Sequence, residues 1–453
     1  MDKILKLAIG KTDSAETFLS TTKNLNLFIE KDKVTNILRG ETSGFAVRVV
    51  KDGKFGFSYG NDFSDNGINS VIETASKVSK FGDDIPKGFS FPSKKGSTPV
   101  KNTFDPKIAE ISEPEALEIA KRFTSALKEK GVDIAFGRLK FTSFSYTVSN
   151  STGLEKTENG TFVLFYSNLV KKHEGRIIEY EPMERFRMLS QFSPEKIANE
   201  SINFIQSSLN PKTVDVGKYP VIISPKVMAE LFATTLGEAL SGNTVLMKAT
   251  PYFDKLGKQV ASKEFTLYDD GTYPAGVATT GIDQEGTASQ KTPLIQNGIL
   301  KNFIFDSKYG AKAGKKTTGN GRRGGISYDE YFIFNPTVTN TNIVVQAGKL
   351  PLEKIIAETK KGLLLEKVAW PRGSSANGVF SLEIRNAFAI KNGELAEPVR
   401  WGNVVGSVYE AIKKITGISK ETFISSPFPT GLTEAAVLPY IKFDNMDVVA
   451  KAS

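Results

Sequence analysis

Residues 231–243 read Leu-Phe-Ala-Thr-Thr-Leu-Gly-Glu-Ala-Leu-Ser-Gly-Asn, a frame that suits a buried helix running into a Gly-Asn turn. Upstream, Ser224-Pro225 is a helix start, because serine caps free amides and proline lacks the amide that the first turn leaves unused. A helix over 225–240 puts Val227, Met228, Leu231, Phe232 and Leu236 on one apolar face. Residues 219–223 ahead of it read as a short strand. From Phe265 onward the chain is mostly short β-prone runs, with hairpin signals at Asp269-Asp270-Gly271, Asn297-Gly298 and Asn392-Gly393. The pattern predicts an antiparallel β-rich C-terminal domain over 216–453, with a last helix over 404–416.

The preceding residues mix helices with longer strands. After a first helix, residues 26–34 and 44–50 read as strands. Lys51-Asp52-Gly53-Lys54 is a hairpin turn, since Asp-Gly supplies the positive φ angles that a two-residue loop requires, and 55–59 return from it. A helix over 65–80 carries Val71, Ile72, Ala75 and Val78 on one face. Residues 81–104, rich in Pro, Gly, Ser and Lys, read as a surface connection. Ser112-Glu113-Pro114-Glu115 has the spacing of a capping box and opens a helix ending at Gly131. Strands over 133–149 and 160–171, joined through Asn150-Ser151-Thr152-Gly153-Leu154, precede a helix over 194–208. The expected fold class is α+β: an N-terminal α/β domain over 1–100, a middle α+β domain over 101–215, and the β-rich domain after them.

Composition narrows the chemistry. The 453 residues are 40% hydrophobic and 24% charged, as in a soluble globular protein. No run of 18 apolar residues reads as a transmembrane span, and the opening residues do not read as a signal peptide, so a cytoplasmic protein without membrane contact is expected. There is one histidine, His173, and no cysteine. A zinc site of the usual nitrogen and sulfur ligands cannot come from this chain alone. His173 lies in a charged stretch, Lys171-Lys172-His173-Glu174, that reads as surface. The net charge is +9, from 59 Lys and Arg against 50 Asp and Glu. The densest basic run, from Lys308 through Lys312, Lys315 and Lys316 to Arg322 and Arg323, lacks the interleaved aromatics of a single-strand platform, so nucleic acid is not an expected partner. Asp269, Asp270, Asp283 and Glu285 read as turn acids, with an oxygen-ligated ion site as the alternative. The glycine-containing stretch from Thr318 to Arg323 lacks the Gly-Lys-Ser/Thr ending of a P-loop.

Ordered stretches across nearly the whole chain resemble the TldD/PmbA family, the modulator-of-gyrase peptidases. They are Gly44-Phe45-Ala46-Val47-Arg48-Val49 with Asp52-Gly53-Lys54-Phe55-Gly56-Phe57, Asn150 to Leu154, Thr292 to Lys301, Thr318 to Arg323, Thr339-Asn340-Thr341-Asn342, Asn392-Gly393-Glu394 and Gly406-Ser407-Val408. The resemblance implies a peptidase assembly in which a TldD branch carries His-Glu-x-x-x-His and a later cysteine, and a PmbA-like branch lacks them. In that frame Ala233 and Glu238 stand at the histidine positions and Thr234 at the general-base position. No catalytic residue, metal or cofactor is therefore expected. The implied partners are a His-Glu-x-x-x-His paralogue and unfolded peptide, with Asn320, Arg322, Arg323, Asn340 and Asn342 expected to line the cleft that holds peptide. A stand-alone peptide-binding homodimer is the alternative.

Overall fold

The computed structural model describes residues 3–93, 96–324, 329–369, 372–425 and 435–450. The first two hundred residues build a single seven-stranded sheet. Its order is Lys54–Gly60, Lys33–Lys51, Ser14–Glu30, Asp133–Asn150, Glu155–His173 and Arg176–Tyr180, with Met183–Phe186 also paired to Glu155–His173. Every pairing in it is antiparallel. Residues 26–34 and 44–50, read as separate strands, are parts of one hairpin of 17- and 19-residue strands. It turns at Lys31-Asp32, whose φ angles of 46° and 63° are those of a tight two-residue turn. Asp52-Gly53 forms the next turn, with φ of 50° and 72°.

Alternation along the strands gives the sheet two apolar faces. Phe45, Val47 and Val49 pack on the helices Lys3–Ile9 and Asp65–Val78. Leu25, Leu27, Leu139, Phe141, Val163 and Phe165 pack on the helices Glu113–Lys128 and Pro194–Ser207. The capping box at Ser112 is present: its hydroxyl accepts from Glu115 N, and the Glu115 carboxylate accepts from Ser112 N. The intervening residues of the other face, Phe18, Ala46, Phe144, Tyr146 and Val148, pack on Val277, Ala278, Ile282, Tyr331, Phe332 and Ala435. The C-terminal region thus sits directly on the sheet.

That region holds a thirteen-stranded sheet. Five of its strands close into a ring: Gly217–Ile223 pairs with Lys361–Val368, then Val379–Lys391, Gly402–Ser407 and Ala435–Ala450, which returns to Gly217–Ile223. A closed ring has no free edges to satisfy. Three expectations fail here. The helix over 404–416 is a strand to Ser407, because Val404 and its neighbours pair on both sides; only Val408–Ala411 and one 3-10 turn are helical. Asp269-Asp270-Gly271 is no hairpin: Leu267–Asp270 pairs with Lys291–Gln296 across a long buried loop. The helix over 225–240 is broken into Pro225–Thr234 and Leu236–Ala239. Asn297-Gly298 and Asn392-Gly393 do form tight turns, with positive φ at all four residues.

A buried ion network locks the sheet to the C-terminal region. Glu16 pairs with Arg48 at 2.8 Å and with Arg323 at 2.8 Å, and Arg48 reaches Glu285 at 2.7 Å. All four side chains are at most 4% exposed. Arg323 also lies 4.5 Å from the Phe18 ring centroid. Removing one partner strands the others in low dielectric, which typically costs about 3–5 kcal/mol. Arg323→Ala is therefore expected to lower stability by about that amount, read by chemical denaturation. A change under about 1 kcal/mol, the range of an exposed pair, would show that the network is not closed in solution.

Candidate functional site

Proline at the first helical position and Ser224 before it start the Pro225–Thr234 helix. The Ser224 hydroxyl does not cap the helix; it donates to the Glu366 carbonyl at 3.1 Å. Regular geometry ends at Thr235, with φ −126° and ψ −85°, where the hydroxyl donates to Leu231 O at 2.6 Å. The positions 233 and 238 therefore belong to separate helical segments. Ala233 is buried and offers no donor atom. The Thr234 hydroxyl turns back to the Glu230 and Leu231 carbonyls, each at 3.3 Å. Glu238 is half-buried. Burial first, and the Glu238 charge after it, push the Tyr409 phenol upward; that phenol donates to Ser375 O. Gly373 lies against the break, where a Cβ would come within 2.6 Å of Thr235 Cγ2.

This donor set does not fit a metal ion. One half-buried carboxylate, a threonine hydroxyl engaged by backbone and an alanine methyl cannot make a three-ligand site. Among the described residues no group of three or more His, Cys, Asp or Glu is placed to hold one. His173 ends the Glu155–His173 strand, partly exposed beside Glu174. The four acids considered for an ion are occupied by the protein. Asp269 accepts from Asn320 at 2.8 Å and from Thr341 N and Oγ1, each at 2.7 Å. Asp270 accepts from Thr272, Asp283 from the backbone of Glu285, Thr287 and Gly321, and Glu285 from Ser307 and Arg48.

The five residues expected along a peptide cleft are all buried. Asn320 donates to Asp269 and Thr339 O, and Asn342 to Asp270 O and Thr279. Arg322 donates to Thr280 at 3.0 Å, and Arg323 to Glu16 and Phe334 O. Asn340 alone of the five meets the motif helix, donating to Gly237 O at 2.9 Å. These side chains hold loops and sheet together.

An accessible cleft is lined by Lys226, Val227 and Glu230 of the same helix. It has a volume of about 740 Å³ and opens between the first sheet and the C-terminal region. Tyr180, Glu181 and Glu184 line it from the sheet side. Lys226 and Glu230 line it from the helix, Glu366 and Lys367 from the barrel, and Phe423 and Tyr440 from the last two strands. Lys226 pairs with Glu184 at 2.5 Å, and Lys367 with Glu181 at 4.0 Å. Tyr440 donates to Glu366 at 3.2 Å. Burial raises Glu230 and Glu366 to about 7 each and depresses Lys367 to about 8. Lys226 and Glu230, one turn apart in an otherwise apolar helix, are the sequence signal that marks this face.

Residues 216–450 match the family model described as the PmbA/TldA metallopeptidase C-terminal domain, residues 106–209 its central domain and residues 15–79 its domain 1. The chain belongs to the PmbA/TldD family. Metalloprotease PmbA of Escherichia coli O157:H7 is 25% identical, over 97% of this chain and 94% of that protein. An uncharacterized protein of Methanocaldococcus jannaschii is 28% identical, over 91% of this chain and 93% of its own length. The crystal structure of TldE from Thermococcus kodakarensis superimposes with a TM-score of 0.88 at 24% identity, covering 99% of each chain. This PmbA/TldD fold is thus shared along the full length.

The cleft acids make stability depend on pH. Glu230 and Glu366 have folded-state values raised to about 7, so the folded chain keeps protons that the unfolded chain releases near the ordinary carboxylate value. Their contribution is whole below that value and is lost as pH rises through about 7. Glu366→Gln cannot ionise. It is expected to be more stable than the parent at pH 8 by on the order of 2 kcal/mol, with the gain gone at pH 4. Denaturation at both pH values checks this; a gain of equal size at both would assign it to packing.

Proposed function

We propose that this chain is the PmbA-like, metal-free subunit of a cytoplasmic metallopeptidase assembly that matures or degrades peptides. It holds unfolded peptide, while a His-Glu-x-x-x-His paralogue provides zinc and the general base. The observation that carries this reading is the donor set at the motif. Ala233, Thr234 and Glu238 occupy the metal-motif positions, and a metallopeptidase needs three ligands, an open position and a carboxylate base. The helix itself keeps its packing: Val227, Met228, Leu231, Phe232 and Leu236 belong to the largest core cluster. Loss of ligands with retention of the helix is what a structural half of an enzyme requires.

The interdomain cleft supports the peptide role. It is large, partly apolar and lined by both regions, as ligand sites between domains commonly are. Asn320, Arg322, Arg323, Asn340 and Asn342 are buried and do not line this cleft. No helix among the described residues is long and apolar enough to cross a membrane.

The test is affinity capture of the chain from its native cells, with mass spectrometry of co-purifying proteins and metal analysis of the product. A stoichiometric paralogue bearing His-Glu-x-x-x-His and zinc is the expected result, with peptidase activity that chelator removes and the isolated chain lacks. Recovery of this chain alone as a homo-oligomer would replace the proposal with a stand-alone peptide binder.

A further inference from the structure

Two acids that line the cleft, Glu230 and Glu366, stand without a paired cation among the described residues. Of the cations that line it, Lys226 pairs with Glu184, Lys367 with Glu181, Lys196 with Glu200 and Arg385 with Glu383, and Arg185 and Arg400 line it as well. Neither Glu230 nor Glu366 has a lysine or arginine within 4 Å among the described residues. The side-chain hydrogen bond to Glu366 comes from Tyr440. Both carboxylates line the open space, so a cation entering from outside meets them without breaking an existing pair.

We propose that the cleft receives a cationic group carried by a peptide, a primary ammonium or a guanidinium, held by Glu230 and Glu366. The proposal rests on the peptide-handling reading above and names the chemistry that the site selects. A volume of about 740 Å³ is far larger than one ammonium group, so the cation arrives attached to a body that fills the rest. Aromatic walls suit that body: Tyr180 stacks on Phe204 with centroids 4.1 Å apart, and Phe423 meets Tyr440 edge-on at 5.9 Å. Lys367 already stands 5.0 Å from the Tyr180 ring centroid, which shows that this wall accepts a cation over its face. An acidic peptide meets the same carboxylates as like charges and is selected against.

Cation binding ionises both acids, so it releases protons and strengthens as pH rises from 6 to 8. The groups facing Glu230 are Lys367, Glu181 and Lys226; those facing Glu366 are Tyr440 and Lys226. Of these, Lys226 keeps its charge throughout: burial opposes its ammonium, but the paired Glu184 carboxylate holds it above the usual lysine range. Lys367, depressed to about 8, sheds part of its charge at the upper end, which leaves the acids still more in need of a cation. Tyr440 stays neutral, its phenol pushed upward by burial.

The experiment uses fluorescent, unstructured octapeptides and the full chain in its native oligomeric state, read by anisotropy at pH 6 and pH 8. One peptide is acetylated and amidated with a single central lysine. Matched peptides carry norleucine, Nε-acetyl-lysine or glutamate there, and another joins norleucine to a free α-amino terminus. The lysine or the free-amine peptide is expected to bind at least tenfold more tightly than the norleucine control at pH 8. That advantage shrinks at least threefold at pH 6, and which of the two wins identifies the source of the cation. Glu230→Gln and Glu366→Gln abolish the preference, whereas Lys367→Met, which frees Glu181, strengthens it. Equal affinity of charged and neutral peptides would overturn the cation assignment while leaving peptide handling intact. Absence of binding by every peptide, alone or with the paralogue, overturns both.

Discussion

Four charges buried together set the relation between the two halves of this protein. Glu16 and Arg48 lie on facing strands of the first sheet, and Glu285 and Arg323 come from loops of the C-terminal region. Burial alone pushes the Glu16 carboxyl upward, and Arg48 and Arg323 pull it back. Each charge is tolerable only with the others in place, because a lone ion in low dielectric is costly while a paired one is roughly neutral. Such a network contributes orientation more than net stability. Here it fixes which face of the sheet the barrel meets, and Phe18, Ala46 and Tyr146 then bury against Val277 and Phe332 around it. The cleft opens where residues 179–186 face the strands Lys361–Val368 and Ala435–Ala450.

The Pro225–Thr234 helix is held by packing and by its own break. Its apolar side is part of the main core, and its break at Thr235 is held by a threonine hydroxyl and by the close passage of Gly373. None of these needs a metal. Alanine at 233 favours the helix and is buried in it.

Local signals made much of the fold legible. The capping box at Ser112 and the turns at Asp52-Gly53, Asn297-Gly298 and Asn392-Gly393 act through their own backbone preferences, so neighbours in sequence suffice to read them. What failed depended on distant partners. The strand to Ser407 has helix-compatible neighbours and is strand because it bridges two others of the ring. Asp269-Asp270-Gly271 has turn chemistry, yet Asn320 and Thr341, far along the chain, take up Asp269. The want of histidine and cysteine donors was readable from residue types alone. The cleft was not, since Glu181, Glu230, Glu366 and Tyr440 converge only through packing of two regions, and the arginines whose charge suggested a binding loop face inward.

The closed ring also imposes an order of assembly during synthesis. The first sheet draws only on residues 14–186 and is complete once they have left the ribosome. The ring cannot close until residues 435–450 pair with residues 217–223, more than two hundred positions upstream. Contacts of such long range form slowly. Until then Arg48 and Glu16 wait on the face of a finished sheet, and the apolar residues beside them stay open to water. A nascent chain at that stage carries an uncovered apolar face, the kind of surface that promotes aggregation.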